Sequence, residues 1–566
     1  MDKKTIIRTL EQIALHMELL GENPFKISAF RKAANTLELD GRSLAEMDDI
    51  YELKGIGKST GTVIQDLIEK GESETLKELE RKVPRSMLDM LKIPGLGGKR
   101  IAKIREALGI ESIEALYEAA KANEISQLPG FGKKTEQNFI EAIEQLNERS
   151  DKHPLWLVEK MVKEVEKALN QIEQVKKYEA TGSYRRREEE SSDLDFIVVT
   201  DEPDSVTKQL KELLPIDSII GSGESKFSFT ARFDEYVDVD IRFVTATQFA
   251  TAIHHFTGSK DHNVKMRQRA KERGEKISEY GVTLKDGTMQ TFDTEEQFFN
   301  HFDLPFIPPN LRQNGTELEK LDEMERMVKL EHMNSDLHMH TTWSDGAFSI
   351  GEMREALKAK GYTHAVITDH SQYLKVANGL TPERLFEQQK EIAASNIDDF
   401  LLLSGTEMDI LPDGSLDFDD EVLANLDFVI ASIHSSFNQK EEEIMHRLHE
   451  AMKNPHVDMI AHPTGRVIGK RDGYAINIPQ FLQWAKQYHK IVEVNASPYR
   501  LDLSVEHLKL AKELGVWIAI NTDAHAIDQL DYMELGVLHT QKAYIEREQI
   551  VNTWTKEQFL ERIVHK

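Results

Sequence analysis

Cysteine is absent from the 566 residues of the chain, so disulfide bonds, thiolate zinc sites and cysteine nucleophiles are excluded. Long apolar runs are absent too, because no segment approaches the ~18 uninterrupted apolar residues that a membrane-spanning helix needs. The first twenty residues are not typical of a signal peptide, since Glu11, His16 and Glu18 interrupt their apolar pattern and indicate an amphipathic helix. We therefore expect a protein of the reducing cytoplasm that has no membrane partner.

An excess of positive charge is also lacking. The chain carries a net charge of −27 at neutral pH, and duplex DNA repels a uniformly acidic surface. The charge is uneven, however, because residues 81–105 contain eight basic residues against the single acidic Asp89. Such a patch is either the footprint of a phosphate backbone or a solvated helix face, and charge alone does not decide between them.

One glycine pattern occurs three times, as LKGIG at 53–57, IPGLG at 93–97 and LPGFG at 128–132, each time followed by a helix. Two glycines two positions apart permit positive φ and a close backbone approach. The helix that follows offers unpaired N–H groups to a phosphate. The pattern resembles the helix-hairpin-helix motif, which grips the DNA backbone without reading its sequence, and the alternative is a tight turn between helices. We expect the third copy to be structural. The DNA-binding residues expected here are Gly55, Gly57, Gly95, Gly97, Lys99 and Arg100.

Two carboxylates lie two positions apart on an apolar strand in the segment GSYRRREEESSDLDFIVVT at 182–200. Asp193 and Asp195 therefore project from one face. Such a pair can bridge two Mg²⁺ ions about 3.5–4 Å apart for in-line phosphoryl transfer, and it is costly without a cation. A third carboxylate is expected from the strand YVDVDIRFV, in which Asp238 and Asp240 point to the same face and geometry does not choose between them. With the Gly-Ser turn upstream as a triphosphate holder, the pattern predicts a nucleotidyltransferase palm rather than an exposed strand edge.

Histidine is concentrated in the C-terminal part, where fifteen of the 21 histidines lie after residue 330. Seven short apolar strands alternate with helical stretches there, and almost every strand ends in His, Asp or Glu. The C-terminal strand ends of an α/β barrel meet at one mouth, so these side chains are expected to converge as metal ligands. One such histidine would be read as a core or capping residue, but nine donors at successive strand ends indicate a metal centre. They are His338, His340, Asp345, His370, Glu407, His434, His462, Asp523 and His525.

Residues 1–315 resemble the family X DNA polymerases. The resemblance is carried, in order along the chain, by GSYRR, SDLD, VDIR, FTGSKDHNVKMR and LPFIPPNLR. It implies Mg²⁺ or Mn²⁺ binding and catalysis by Asp193, Asp195 and Asp240, with Asp240 as the base for the primer 3′-hydroxyl. It also implies triphosphate contacts by Ser183, Arg186 and Ser191, a nucleotide pocket formed by Phe256, Gly258 and Asn263, and a template contact by Arg267.

Two positions depart from that family. His255 stands where a tyrosine is usual before Phe-Thr-Gly-Ser, which leaves the selection of the sugar open. Val63 stands where the lyase enzymes of the family have a Schiff-base lysine. Because valine cannot form an imine, we predict no deoxyribose-phosphate lyase activity by that route.

Residues 334–566 resemble the polymerase-and-histidinol-phosphatase (PHP) domain, with all nine positions of that family's three-metal cluster filled. Imidazole and carboxylate donors suit Mn²⁺, Zn²⁺ or Fe, and such a cluster would activate a hydroxide and clamp a phosphodiester. Fused to a polymerase, the domain is expected to be a Mn²⁺-favoured 3′→5′ exonuclease, with apurinic-site incision or 3′-end cleaning as related activities. His364, His446, His449, His456 and His489 fall outside this pattern and are expected to be structural.

The predicted fold class is multidomain α+β, with helical DNA-binding domains, a palm and thumb, and a (β/α)7-type barrel. The predicted boundaries are 1–80 and 81–149 for two helical domains, 150–245 for the palm, 246–315 for a thumb-like domain, 316–333 for a linker and 334–566 for the PHP domain.

Three whole-protein interpretations follow. The first is a repair enzyme, a monomer in the nucleoid-associated cytoplasm, that fills short gaps in gapped or primer-template DNA with dNTPs and trims 3′ ends. The second is a non-templated or RNA-end nucleotidyltransferase with a structural PHP domain. The third is a DNA-binding scaffold. The glycine hairpins and the FTGSKDHN segment favour DNA as the substrate, and complete ligand sets in both halves disfavour a scaffold.

Overall fold

The computed structural model describes residues 3–39, 50–148, 152–397 and 399–564. The chain divides into two compact units, Met1–Asp151 and Lys152–Lys566. Within the described ranges, none of the helices is both long and apolar enough to cross a membrane.

The first unit consists of helices in its described part, because its apolar positions recur at helical spacing. Its α-helices are α1 (Lys3–Leu19), α2 (Pro24–Leu39), α3 (Lys58–Lys70), α4 (Glu74–Lys82), α5 (Arg85–Asp89), α6 (Gly98–Leu108), α7 (Ile113–Lys121) and α8 (Lys133–Glu148). Their apolar faces form two cores, one around Ile13 and Ile64 and the other around Ile101 and Phe139. Val63 is 4% exposed and packs in the first of these cores.

A five-stranded sheet opens the second unit, in the order β2-β4-β7-β6-β5, and its strand β7 alternates buried residues with more exposed ones. The strands of this sheet are β2 (Lys177–Ala180), β4 (Asp193–Val199), β5 (Ile216–Gly223), β6 (Lys226–Arg232) and β7 (Tyr236–Val244), while β1 (His153–Pro154) and β3 (Glu190–Ser191) pair with each other in a separate two-stranded sheet. The helices are α9 (Leu155–Leu169), α10 (Gly182–Arg185) and α11 (Pro203–Leu213). Only β4 and β7 pair in parallel within this sheet, and this pairing positions the carboxylates.

A small α/β segment follows, packed around the aromatic residues Phe298, Phe299 and Phe302. Its elements are α12 (Phe249–Thr257), α13 (Lys260–Glu272), β8 (Lys276–Ser278), β9 (Gly281–Thr283), β10 (Met289–Gln290), α14 (Glu295–His301) and α15 (Leu321–Arg326). Met327, within the predicted linker, packs into the same core together with Tyr544.

The C-terminal part is a barrel of seven parallel strands in sequence order. The strands are β11 (Ser335–Asp336), β12 (His364–Ile367), β13 (Leu401–Asp409), β14 (Phe428–Ser432), β15 (Met459–Ile460), β16 (Ile491–Asn495) and β17 (Ile518–Asn521). The helices are α16 (Ile350–Ala359), α17 (Pro382–Ser395), α18 (Asp420–Leu423), α19 (Glu441–Lys453), α20 (Ile478–Gln487), α21 (Val505–Leu514), α22 (Tyr532–Gln541) and α23 (Lys556–Phe559). A parallel bridge between Met339 and Ala524 brings the first strand to the last and nearly closes the barrel. The predicted fold class is confirmed.

The sheet and the barrel share an apolar core, which explains why residues 152–566 form one compact unit. Leu155 from α9 packs with Ile468, Leu501 and Leu535 of the barrel. Beside them, the Trp156 ring stacks on Tyr499 with 5.2 Å between ring centroids, and its indole N–H donates to the Ile468 carbonyl.

Candidate active sites

The first site is built on the parallel pair β4 and β7, which places Asp193 opposite Asp238 and Asp195 opposite Asp240. Thr181, at the end of the loop after β2, donates its backbone N–H to the Asp195 carbonyl. Gly182 follows with φ of 61°, and a Cβ at this position would collide with the Asp195 carboxylate. Glycine is therefore required at position 182, where the backbone passes next to the Asp195 carboxylate.

Burial and the neighbouring carboxylates Asp193 and Asp240 raise the pKa of Asp195 to about 7, although Arg186 and Arg242 act in the opposite direction. A partly buried cluster of carboxylates that is hard to ionise is a good cradle for divalent cations, whose charge relieves the repulsion. Asp240 receives an ion pair from Lys226 Nζ at 3.0 Å. Asp238 accepts a hydrogen bond from Thr230, whereas Asp240 is among the carboxylates that raise the Asp195 pKa, so the electrostatics favour Asp240 as the third member.

A cavity of about 860 Å³ opens beside these carboxylates and is lined by Asp193 and Asp195. All six residues predicted to contact the nucleotide also line it: Ser183, Arg186, Ser191, Phe256, Gly258 and Asn263. The Ser183 hydroxyl donates to Ser191 Oγ at 2.7 Å, and Arg186 Nη1 donates to the Thr257 carbonyl at 2.6 Å. Asn263 Oδ1 is buried and lacks a hydrogen-bond partner among the described residues, so an acceptor is available to a ligand.

Two further predicted positions lie on or near this cavity. His255 is part of its lining, and burial lowers the pKa of its imidazole, which favours the neutral form. Arg267 is exposed on α13 and does not line the cavity. An exposed guanidinium on this helix is compatible with the template contact that was predicted for it.

Several residues of the cavity wall escaped the sequence analysis. They are Lys152, Lys260 and Gln313, together with Val505, Glu506, Lys509 and Lys542 from the barrel. The four barrel residues reach the cavity only through the packing of the barrel against the sheet, so no local motif marks them.

The second site lies at the mouth of the barrel, where the nine predicted donors converge. Three groups of donor atoms each lie within 4.8 Å of one another. The first group is His340, Asp345, His370 and His525; the second is His338, His340, Glu407 and Asp523; the third is His370, Glu407 and His434. His462, the ninth donor, lies with Nε2 2.8 Å from Glu407 Oε1.

Glu407 is the hub of this cluster, since His338, His370 and His434 lie within 3.3 Å of its carboxylate oxygens. Burial opposes the charging of His434, but Glu407 and Asp409 outweigh it and raise the pKa of His434 to about 10. Burial and the neighbouring His525 and His370 lower the pKa of His340 to about 3. Because these imidazoles and carboxylates share one buried volume, they cannot all have the protonation states that they would have in water.

The donor set fits divalent metals. His340 Nδ1 and His462 Nδ1 are buried without a hydrogen-bond partner in the described part of the chain, and His338 Nε2 and His340 Nε2 face each other at 3.3 Å. Nitrogen and oxygen donors without thiolates suit ions such as manganese, zinc or iron. The three groups overlap at His340, His370 and Glu407, and each could hold a metal ion.

Buried side chains behind the cluster orient these donors, and the sequence analysis missed them. Glu493 is 0% exposed and accepts from His338 Nδ1 at 2.7 Å, which turns Nε2 of that ring toward the cluster. Asp409 lies 3.3 Å from His434 Nδ1. The sequence signal that could have identified Glu493 was a lone carboxylate within the apolar strand IVEVN. Arg500 also borders the cluster, with Nε 4.0 Å from Asp523 Oδ2.

The three glycine hairpins have the same local geometry. The N–H of Ile56, Leu96 or Phe131 donates three residues back in each copy, and Gly55, Gly95 and Gly130 have positive φ. Gly57 and Gly97 precede the first residues of α3 and α6.

Lys99 and Arg100 are exposed at the start of α6. Arg100 also stabilises its own hairpin, since Nη1 donates to the Gly95 carbonyl at 2.7 Å.

Two of the histidines expected to be structural have packing partners away from the cluster. His364 lies under the Phe559 ring at 5.0 Å between ring centroids, and burial lowers its pKa to about 4. His449 stacks on Trp484 at 4.2 Å.

Family models match most of the chain. Those described as the helix-hairpin-helix domain and the SAM-like helix-hairpin-helix tandem match residues 1–73 and 87–145. The DNA polymerase beta palm and thumb models match 154–228 and 252–313. The PHP domain model matches 336–497.

Known relatives divide into full-length and partial matches. A probable phosphatase of Caldanaerobacter subterraneus subsp. tengcongensis is 30% identical over 38% of this chain and 86% of its own length. A probable phosphatase of Thermoanaerobacter sp. (strain X514) is 32% identical over 38% of this chain and 89% of its own. The DNA polymerase/3′-5′ exonuclease PolX of Bacillus subtilis (strain 168) is 52% identical over 98% of this chain and 97% of its own. With this coverage and the palm, thumb and PHP matches, the chain belongs to the family X DNA polymerases that carry a C-terminal PHP domain.

Proposed function

We propose that the chain is a DNA-directed DNA polymerase that fills short gaps in DNA repair, and that its PHP domain is a 3′→5′ exonuclease. The observation that carries the proposal is the presence of two separate acidic or imidazole-rich clusters in one compact unit. One borders a cavity whose lining includes Ser183, Arg186 and Ser191, and the other brings together the nine predicted donors. The Bacillus subtilis relative is named for the same two activities.

In the polymerase site, Asp193, Asp195 and Asp240 would hold Mg²⁺ or Mn²⁺. Such ions neutralise charge on a triphosphate and act as Lewis acids toward its phosphorus-bound oxygens. Asp240 accepts the proton of the primer 3′-hydroxyl. Ser183, Arg186 and Ser191 bind the triphosphate. Phe256, Gly258 and Asn263 hold the nucleoside of the incoming dNTP, and Arg267 contacts the template strand.

In the exonuclease site, the nine donors would hold three divalent ions, of which Mn²⁺ is favoured over Zn²⁺ or Fe. The ions would supply Lewis acidity and activate water for phosphodiester hydrolysis. Glu493 holds the His338 ring in the orientation that presents Nε2. Arg500, at the edge of the cluster, is placed to bind a phosphate of the departing 3′ nucleotide. Apurinic-site incision and 3′-end cleaning use the same bond cleavage and belong to this proposal.

The helical unit would bind the DNA backbone through the hairpin glycines and Lys99 and Arg100, without reading sequence. Gapped or primer-template DNA and dNTPs are the proposed substrates. The proposal also includes the domain boundaries predicted from the sequence, a monomeric state and a nucleoid-associated cytoplasmic location.

One assay on gapped DNA with Mn²⁺ separates the two activities. Asp193→Ala abolishes extension and keeps 3′ degradation, whereas His340→Ala keeps extension and abolishes degradation. Asp238→Ala is the matched control for Asp240→Ala, and we expect only the latter to abolish extension. If both Asp193→Ala and His340→Ala lose both activities, the division of labour is wrong. Extension that ignores the template base would instead support a non-templated transferase.

A further inference from the structure

The wall of the proposed dNTP cavity contains carboxylates, which would repel a dNTP if nothing neutralised them. Glu188, Glu189 and Glu190 all line the cavity, and a triphosphate carries several negative charges of its own. Carboxylates facing a polyanion in a partly enclosed space repel it strongly. A carboxylate of this wall that solvent does not screen therefore needs a counter-charge before the cavity can accept a dNTP.

Glu188 obtains its counter-charge from the PHP domain. Lys542, which directly follows α22 of the barrel, places Nζ 3.0 Å from Glu188 Oε2 and donates to the Arg187 carbonyl at 2.7 Å. The Lys542 side chain is 3% exposed, so the pair is held in a protected position. Although burial acts in the opposite direction, Lys542 and hydrogen bonds from neighbours lower the pKa of Glu188, which is therefore ionised.

The other oxygen of Glu188 faces the triphosphate-binding arginine. Arg186 Nε lies 3.3 Å from Glu188 Oε1, and Gln313 Nε2 donates to the same oxygen at 3.0 Å. Arg186 Nη1 is bonded to the Thr257 carbonyl. Among the described residues, no hydrogen bond uses Arg186 Nη2, so this edge of the guanidinium is available to a phosphate.

Glu189 is neutralised in the same way. Arg466 of the barrel forms a bidentate ion pair with it, with Nη1–Oε2 and Nη2–Oε1 distances of 3.0 and 2.8 Å. Both counter-charges of the cavity wall thus come from a domain whose own metal cluster lies elsewhere. Glu190 is exposed to solvent, which screens its charge.

We propose that the PHP domain completes the nucleotide site of the polymerase, with Lys542 and Arg466 as positioning residues that neutralise Glu188 and Glu189. This inference rests on the proposed polymerase function. Because Lys542 pairs with Glu188, the positive charge of Arg186 remains available to the triphosphate. Without Lys542, Glu188 would have Arg186 as its main counter-charge, and the cavity would carry one more negative charge. Weaker dNTP binding follows, while the carboxylates that support the chemical step remain in place.

The test is single-nucleotide insertion into gapped DNA by the full chain with Lys542→Met. We expect the KM for dNTP to rise about 10-fold, the order expected when one charge-assisted contact to the triphosphate is weakened, while kcat and exonuclease activity stay near the wild-type values. Adding Glu188→Gln should rescue binding, since the double variant Lys542→Met/Glu188→Gln no longer carries an uncompensated carboxylate. Lys512→Met is the matched control, because Lys512 pairs with Glu323 and does not line the cavity.

A wild-type KM in Lys542→Met, or a KM that Glu188→Gln fails to lower, would overturn the inference. If Lys542→Met does not fold, Arg466→Met with and without Glu189→Gln provides the same test. The proposed function fails separately, if the wild type does not extend or if Asp193→Ala still does. An active wild type, an inactive Asp193→Ala and an unchanged KM in Lys542→Met would refute only the role of the PHP domain.

Discussion

At the residue scale, the candidate metal cluster depends on a side chain that is not itself among the nine donors. Glu493 accepts from His338 Nδ1, from the backbone N–H of His462 and from Asn521 Nδ2. A buried carboxylate behind a histidine fixes the tautomer and the ring orientation and makes the imidazole a better donor. His338 and His462 therefore both lose their alignment if this charge is removed.

We predict that Glu493→Gln lowers the affinity of the PHP domain for Mn²⁺ by about 10- to 100-fold. Exonuclease activity should then require correspondingly more Mn²⁺, while gap-filling activity does not change. Direct metal titration by calorimetry, together with activity as a function of Mn²⁺ concentration, measures this effect. Glu450→Gln is the control, because Glu450 is a half-buried residue of α19 that pairs with Lys453 rather than with a predicted metal donor. Equal Mn²⁺ affinity in the two variants would refute the prediction.

At the element scale, the three hairpins share one backbone turn but differ in the charge that surrounds it. Lys99 and Lys134 occupy matching positions two residues after the last glycine of the second and third copies, and both are exposed. The second copy lies in the basic segment 81–105, whereas α8 after the third copy carries Glu136, Glu141 and Glu144. Like-charge repulsion from these glutamates disfavours a phosphate at the third copy.

We predict that Lys99→Ala weakens DNA binding uniformly across sequences and reduces the slope of log affinity against log salt by about 1, as the loss of one phosphate contact should. Lys134→Ala, the matched change in the third copy, should leave both quantities near the wild-type values. Fluorescence anisotropy with duplex and gapped DNA at several salt concentrations measures them. A larger effect at Lys134 than at Lys99 would assign the DNA contact to the other hairpin.

At the scale of the whole molecule, the sheet that holds the carboxylates and the barrel are not independent modules. Leu155 is 0% exposed and packs with Ile468, Leu501 and Leu535, and Asn310 donates to Gln541 Oε1 across the same boundary. Both sites therefore depend on one shared core, which is consistent with the single compact unit Lys152–Lys566.

We predict that Leu155→Ala lowers the free energy of unfolding of this unit by about 2–5 kcal/mol, the usual cost of a cavity in a packed core. Polymerase and exonuclease activities should be lost together as denaturant is added. Leu213→Ala is the control, because Leu213 is 42% exposed in the same domain, and it should change stability by less than about 0.5 kcal/mol. If one activity persists to a much higher denaturant concentration than the other, the two halves unfold separately.

Particular residues show how much of the protein can be predicted from local sequence patterns. Asp193 and Asp195 on an alternating strand, three Gly-x-Gly turns and nine donors at strand ends are periodic or repeated signals, and they predicted the fold class and the family correctly. The catalytic and binding roles of these residues stay predictions. The choice between Asp238 and Asp240 was open from spacing alone, because both point to one face, and only the electrostatic surroundings distinguish them.

The sequence by itself determined the elements, the family and the candidate ligands, since these depend on short-range spacing along strands and helices. Only the tertiary structure decided which distant groups meet: Glu493 behind His338, and Lys542 and Arg466 against Glu188 and Glu189. The physical reason is that an ion pair or a hydrogen bond between residues hundreds of positions apart depends on how layers pack. Nothing in the local periodicity of either segment specifies that packing.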